Sequence, residues 1–165
     1  MAYDVQIERT GIEALIDIQG SAETLRDWVG EKCPPLPQQA NSASSQDGLS
    51  LCWIGPERWL LRAPIEREDE LLAITRPASA PLDISIVLVS DTLCFFRIDG
   101  ADAAQVVAIA CPLDTHASAF PENGISYTEI FGIKGLLARR GDGFDLAIES
   151  SFGDMVEDYL QRANA

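Results

Sequence analysis

Apolar residues recur at helical spacing in three stretches of the chain, and an acidic first turn marks a fourth helix. The clearest is 152–162, where Phe152, Met155, Val156, Tyr159 and Leu160 fall at i, i+3, i+4, i+7 and i+8 and so share one helix face. Ser151 stands where an N-cap belongs. Asp154, three residues on, completes a capping-box-like pattern with its charge at the positive end of the helix dipole. A second helix is predicted over 101–110, with Ala103, Val106, Val107 and Ala110 on one face. It must stop near Cys111, because Pro112 disfavours helical geometry in the residue before it. A third covers 22–29, capped by Ser21, with Leu25, Trp28 and Val29 inward. A fourth, 66–75, opens on Glu66, Glu68, Asp69 and Glu70, an acidic first turn that suits a helix N-terminus and reads as a solvated face.

Strand patterns fill the intervals. Ile12, Ala14, Ile16 and Ile18 alternate with Glu13, Leu15 and Asp17. Leu49–Trp53 and Arg58–Arg62 flank a Gly55-Pro56 turn. Ile84–Val89 is a continuous apolar run, which predicts a central strand covered on both faces. Residues 93–98, Ser126–Phe131, Lys134–Arg139 and Phe144–Ile148 complete the set, the last three separated by the turns Gly132-Ile133 and Gly141-Asp142-Gly143. Residues 33–48, with three prolines followed by small polar residues, are expected to be an exposed loop, and Arg76–Pro81 a second break. Antiparallel strands in runs, with helices on one face, predict an α+β fold. The expectation is two related antiparallel β/α lobes packed as one compact domain, residues 1–165, although no repeat is detectable in the sequence itself.

Charge narrows the function. The chain has 165 residues, 26 acidic and 12 basic, for a formal net charge of −14. The excess is spread along the chain, −5 over 1–50, −3 over 51–100 and −6 over 101–165. Phosphate backbones and anionic membrane surfaces both require basic stripes that are missing here, so neither nucleic acid nor membrane is an expected partner. No run approaches the roughly 18 apolar residues of a membrane span. Met1–Ile18 has neither the basic nor the apolar region of a secretory signal, and the expected compartment is the cytoplasm. The four cysteines, Cys33, Cys52, Cys94 and Cys111, contain no C-x-x-C and are expected as reduced, mostly buried thiols.

The candidate chemistry is sparse. The only histidine, His116, lies close to Cys111, Asp114 and Ser118. A zinc site would need further His or Cys ligands, and catalytic Cys–His pairs are assembled from distant segments, so His116 is expected in a plain exit loop. There is no G-x-x-x-x-G-K-[ST] and no G-x-G-x-x-G. Ile98-Asp99-Gly100-Ala101 joins a strand to a helix, but Asp99 and Asp102 would repel an anion. Arg139-Arg140 are expected as exposed strand-end arginines. No catalytic, cofactor-binding or metal residue is predicted. Candidate partner contacts are Trp53 and Trp59 beside the Gly55-Pro56 turn, Phe120 in the loop after Cys111, and Phe131 at a strand end. For each, packing in the core is the alternative.

Several short blocks, taken in order, resemble a known family. Ile54-Gly55-Pro56-Glu57-Arg58-Trp59-Leu60-Leu61 is similar to a Gly-Pro-x-x-Trp-Leu-Leu signature. Val87-Leu88-Val89-Ser90-Asp91, Phe95–Ile98 and Gly100 follow, then Cys111-Pro112-Leu113-Asp114 with Phe120 and Gly124. Phe131-Gly132-Ile133-Lys134, Arg139-Arg140, Phe144-Asp145-Leu146 and Ser151-Phe152 complete the series. Over residues 48–163 the chain resembles the gamma-subunit family of heterotetrameric sarcosine oxidases. The resemblance implies an aminomethyltransferase-like fold, related to the folate-binding domain of glycine cleavage. It implies a non-catalytic accessory subunit of a complex that oxidatively demethylates sarcosine to glycine. FAD, FMN, NAD, tetrahydrofolate and zinc would all lie on other subunits, and none on this chain. Its partners would be the large flavin- and folate-binding subunits. The alternatives are the equivalent subunit of an N-methylglutamate-type dehydrogenase, a stand-alone folate-dependent aminomethyl-transfer or folate-binding protein, and an interaction domain outside one-carbon chemistry.

Overall fold

A computed structural model describes residues 3–164. In chain order the elements are β1 (Gln6–Arg9), β2 (Glu13–Gly20), α1 (Ala22–Val29), β3 (Ala43–Gln46), β4 (Leu49–Gly55), β5 (Arg58–Pro64), α2 (Glu68–Thr75), β6 (Ile84–Leu88), β7 (Leu93–Asp99), α3 (Ala103–Ala110), β8 (Ile125–Ile130), β9 (Ile133–Arg140), β10 (Gly143–Glu149) and α4 (Gly153–Ala163). They form two compact units. One is Glu13–Ser90; the other joins the first twelve residues to the segment from Asp91 onward. The α+β expectation with two related lobes is met.

In the Glu13–Ser90 unit, the sheet order is β3-β4-β5-β2-β6. Period-2 alternation puts Ala14, Ile16 and Ile18 of β2, Trp59, Leu61 and Ala63 of β5, and Ile84 and Ile86 of β6 in one cluster with Leu25 of α1 and with Leu71 and Ile74 of α2. Ser21 caps α1 as predicted, its side chain accepting from the Thr24 amide at 3.2 Å. Each fully buried Leu or Ile in such a cluster contributes about 1.5–3 kcal/mol.

The second unit repeats this plan, with order β1-β7-β10-β9-β8. Phe96 and Ile98 of β7, Leu137 of β9 and Phe144, Leu146 and Ile148 of β10 pack with Val106 and Val107 of α3 and Val156 and Leu160 of α4. Each unit therefore reads strand, helix, three antiparallel strands, helix, with one further edge strand. That edge strand is β6 in one unit and β1 in the other. The register makes positions correspond. Trp53 pairs with Trp59 across β4 and β5, where Arg139 pairs with Phe144 across β9 and β10.

Three expectations need correction, and one strand was missed. Ile84–Val89 was to be a central strand; β6 is instead at the sheet edge, with Val87 and Leu88 exposed. An unbroken apolar run shows only that some face is buried, and here that face is Ile84 and Ile86. The expected 33–48 loop contains β3, which pairs with β4 through an Asp47-Gly48 hairpin turn. Its Ser and Gln residues are tolerated because it too is an edge strand, and Asp-Gly was the overlooked hairpin signal. Polar β1 was missed for the same reason. Finally, Ser151 does not cap α4. A 3-10 turn over Ser150–Phe152 leads into the helix, and the Ser151 hydroxyl donates to Glu149 Oε1 at 2.8 Å.

Candidate functional site

The segment after α3 was the densest in reactive residue types. The helix ends at Cys111 in extended geometry, as Pro112 requires. Cys111 is buried; its sulfur accepts from the Leu113 amide at 3.4 Å and lies 3.5 Å from Thr128 Oγ1. Asp114 Oδ1 accepts from the His116 backbone amide at 2.9 Å, and the His116 ring Nδ1 meets Ser118 Oγ at 2.8 Å on the exposed side of the loop. Cysteine, aspartate and histidine thus serve three separate local bonds and do not converge. The Ala119 and Phe120 amides both donate to the His116 carbonyl, closing a tight turn.

Arg139 holds that loop in place. Its Nε donates to the Phe120 carbonyl at 2.8 Å and its Nη2 to the Thr115 carbonyl, while its guanidinium lies 4.9 Å from the Phe144 ring centroid. Arg139 is therefore a partly buried anchor, where an exposed strand-end residue was expected. Arg140 is paired with Asp99 at 2.6 Å and Asp145 at 2.9 Å, so the shallow cleft bordered by Asp99, Gly100 and Arg140 presents no free cation to an anion. Asp102 at the start of α3 accepts from the Asp4 amide at 2.8 Å.

All four thiols are free and buried. Burial pushes the Cys33 thiol up to about 12 and also raises those of Cys52 and Cys94, which keeps these three protonated and unreactive at neutral pH. Among the described residues no group of three or more His, Cys, Asp or Glu is placed to hold a metal ion. No helix there is long and apolar enough to cross a membrane. An open groove of about 650 Å³ lies between the end of α1 and the 33–46 connection, lined by Cys33, Pro35 and Leu36 together with Arg26, Glu31 and Gln46.

The four candidate contacts fall in different settings. Trp59 is buried in the core, and its indole N–H has no hydrogen-bond partner among the described residues. Phe120 is buried as well, closely against Gly124. Trp53, opposite Trp59, is partly buried against the same core. Phe131 is partly buried at the tip of the β8–β9 hairpin, its ring 5.3 Å from that of Tyr159 and nearly perpendicular to it. Trp53 and Trp59 pair across β4 and β5, while Phe120 and Phe131 belong to one core cluster of the other unit. Sequence reading missed the anchoring role of Arg139, whose only signal was its alternation with Leu137 on the same strand face.

Comparison with known proteins places this geometry. The model of the sarcosine oxidase gamma subunit family matches residues 35–165. The sarcosine oxidase subunit gamma of Corynebacterium sp. strain P-1 is 32% identical over 108 residues, covering 65% of this chain and 52% of that protein. The subunit gamma of Corynebacterium sp. strain U-96 is 29% identical over 100 residues, covering 61% and 48%. The chain thus spans about half the length of the curated relatives it matches. Among solved structures, the heterotetrameric sarcosine oxidase from Corynebacterium sp. U-96 in complex with pyrrole 2-carboxylate aligns with a TM-score of 0.85 at 22% identity, over 96% of this chain and 83% of that one. The glycine cleavage system aminomethyltransferase T from Bartonella henselae aligns with a TM-score of 0.72 at 14% identity, over 96% and 46%. At these identities the likeness establishes the aminomethyltransferase-like fold alone.

Proposed function

This chain belongs to the sarcosine oxidase gamma subunit family, and from that premise we propose that it is a non-catalytic accessory subunit of a sarcosine-oxidase-like complex that demethylates its substrate oxidatively. The family match over residues 35–165 carries the reading. The residue chemistry supports it: the groups that could have formed a site are engaged in holding a loop, a strand end or a core. In this reading flavin, NAD, folate and zinc chemistry belongs to other subunits, the large ones are its partners, and the complex is cytoplasmic.

The test is co-expression of the full chain with the large subunits. Sarcosine-dependent hydrogen peroxide formation should require the large subunits, and the chain alone should give none and bind no flavin. A yellow isolated protein, or stoichiometric flavin uptake in calorimetry, would overturn the reading. Activity on N-methylglutamate in place of sarcosine would transfer the chain to the dehydrogenase sibling. The groove bearing Glu31 supports one second reading, a folate-binding protein, because it offers a carboxylate among apolar side chains. Titration of the isolated chain with tetrahydrofolate separates the two: saturable micromolar binding favours the second.

A further inference from the structure

We propose that the helical face of the unit running from Asp91 onward, centred on Phe131 and framed by Ile109, Phe152, Met155 and Tyr159, docks a larger subunit through an apolar contact ringed by basic side chains. The inference rests on the accessory-subunit reading and specifies where such a subunit would be held.

The first observation is the hairpin tip. Phe131 and Gly132 form a two-residue turn between the paired Ile130 and Ile133, with φ of 50° and 80°. Left-handed geometry at the first position favours Asn, Asp or Gly and penalises a bulky side chain. The other unit has the same turn between Gln46 and Leu49, with Asp47 at φ 52° and Gly48 at φ 78°. There the favoured residue is present. Here an aromatic is held in the disfavoured conformation without being fully buried for it, and strain of this kind marks residues selected for something other than the turn.

The second observation comes from the helices. In each unit a three-residue 3-10 turn directly follows the last hairpin strand and leads straight into the helix. The third residue of that turn is Arg67 in one unit and Phe152 in the other. The third residue of the helix is Glu70 in one and Met155 in the other. Arg67 forms an ion pair with Glu70 at 2.7 Å and also donates to the Asp47 carbonyl of the hairpin turn, so polar bonds within the unit satisfy this place. At the corresponding places the second unit carries apolar side chains.

These residues are contiguous. Phe152, which ends the turn leading into α4, and Met155 and Tyr159 of α4 follow at i, i+3 and i+7 along one stripe, and Tyr159 meets the Phe131 ring. The Phe131 amide donates to the Ala110 carbonyl at 2.7 Å, which sets the turn beside Ile109. Ile109 is 51% exposed, Tyr159 39% and Phe152 38%. A contiguous apolar patch with a polar rim is the signature of an interaction site.

Charge selects the occupant. Residues 1–12 and 91–165 hold 14 acidic and 6 basic residues, a formal −8. Glu129 is exposed opposite Lys134, and Asp154 is exposed but paired with Arg9 at 2.6 Å, so the acidic excess that a partner meets is that of the unit as a whole. A second copy would bring like charge against like charge, and an anionic lipid surface would do the same. A different polypeptide with an apolar centre and a basic rim fits both features.

The experiment uses the full chain co-expressed with the large subunits, comparing wild type with Phe131→Asn, Phe152→Arg and, as control, Leu82→Ser, whose side chain is fully exposed in the other unit. Phe131→Asn should weaken association about 30-fold or more, the effect of a hot-spot residue, while the melting temperature of the isolated chain stays level or rises. Phe152→Arg, which copies the arrangement at Arg67, should weaken association similarly, and Leu82→Ser should not. Wild-type association by both interface variants, in a wild-type chain that does associate, overturns the docking face alone. Failure of the wild-type chain to associate overturns the accessory-subunit reading and this inference with it. A dimer of the isolated chain that Phe131→Asn dissociates would give the face to a second copy and overturn the proposal.

Discussion

Gly20 and Gly100 occupy the same position in the two units: each stands where a strand, β2 or β7, gives way to the helix that follows, with φ of +129° and +127°. A Cβ on Gly20 would lie 2.2 Å from the Asp83 carbonyl oxygen, and one on Gly100 would lie 2.3 Å from the Asp4 carbonyl oxygen. Both oxygens belong to backbone entering an edge strand. They accept from the Ser21 amide at 3.4 Å and the Asp102 amide at 3.2 Å, so the close approach ties each edge strand to the start of a helix. The same backbone solution has been used twice, in segments that share almost no sequence.

Substitution of either glycine by alanine should therefore be severe, about 3 kcal/mol or more in chemical denaturation, because conformational strain and a backbone clash add. Gly141, at φ +58° in an open turn, is the control. Its alanine variant carries only the left-handed penalty, about 1–2 kcal/mol. Equal losses at Gly141 and Gly100 would refute the close-approach argument.

How much of this was legible in the sequence depended on what each residue type can signal. Three helices were readable because their apolar residues keep a 3.6 period, α2 because of its acidic first turn, and the inner strands because Ile16, Ile18, Phe144 and Leu146 alternate. The edge strands were not. β1 and β3 bury little, so their composition is that of loops, and β6 is apolar enough to pass for a central strand. The repeat was invisible because corresponding positions hold Trp53 and Arg139, or Asp47 and Phe131, which have no chemistry in common. The end of α3 at Cys111 was legible from the proline that follows it. The anchoring by Arg139 was not, since it depends on a loop returning across a strand.

That anchoring gives a second prediction. Arg139→Ala removes charged hydrogen bonds to the Phe120 and Thr115 carbonyls and the cation–π contact with Phe144. The expected loss is about 2–4 kcal/mol, with hydrogen exchange accelerated over residues 113–122 before the rest of the unit. Arg139→Lys should recover less than half of it, because an ammonium cannot reproduce the forked geometry. Uniform exchange along the unit in Arg139→Ala would show that the loop is held by something else.

Phe120 follows the same logic. It is 4% exposed, with its ring edge close to the Gly124 backbone. Phe120→Ser should destabilise the isolated chain by about 3–5 kcal/mol, the scale of a large core truncation. A variant that keeps wild-type stability yet loses association with the large subunits would return Phe120 to the partner surface.

His116 should be dispensable to folding. Its ring hydrogen-bonds with the Ser118 hydroxyl and amide on an exposed loop, and the Ala119 and Phe120 amides bond to its backbone carbonyl, which any residue supplies. His116→Ala is expected to change stability by less than about 1 kcal/mol. A loss of several kcal/mol in urea denaturation would mean that the ring organises the turn.

The last prediction concerns alkaline pH. Cys33 is buried beside the groove, and burial alone lifts its thiol from about 9.0 to about 12. Below pH 9 the thiol is protonated in both the folded and the unfolded chain, so it leaves stability independent of pH. Between about pH 9 and 12 the unfolded chain releases the proton and the folded chain retains it, so stability falls as pH rises, by at most about 1.4 kcal/mol per pH unit for one such group. Cys52 is raised by burial in the same direction and adds to the decline. Urea midpoints measured from pH 8 to pH 11 should therefore drop more steeply for wild type than for Cys33→Ala, whose lower starting stability reflects the cavity left behind. In the same window Ellman's reagent should react slowly with native protein and titrate four thiols at once in denaturant. Parallel pH profiles for the two proteins, or rapid labelling of Cys33 in the native chain at pH 8, would show that this thiol is open to solvent.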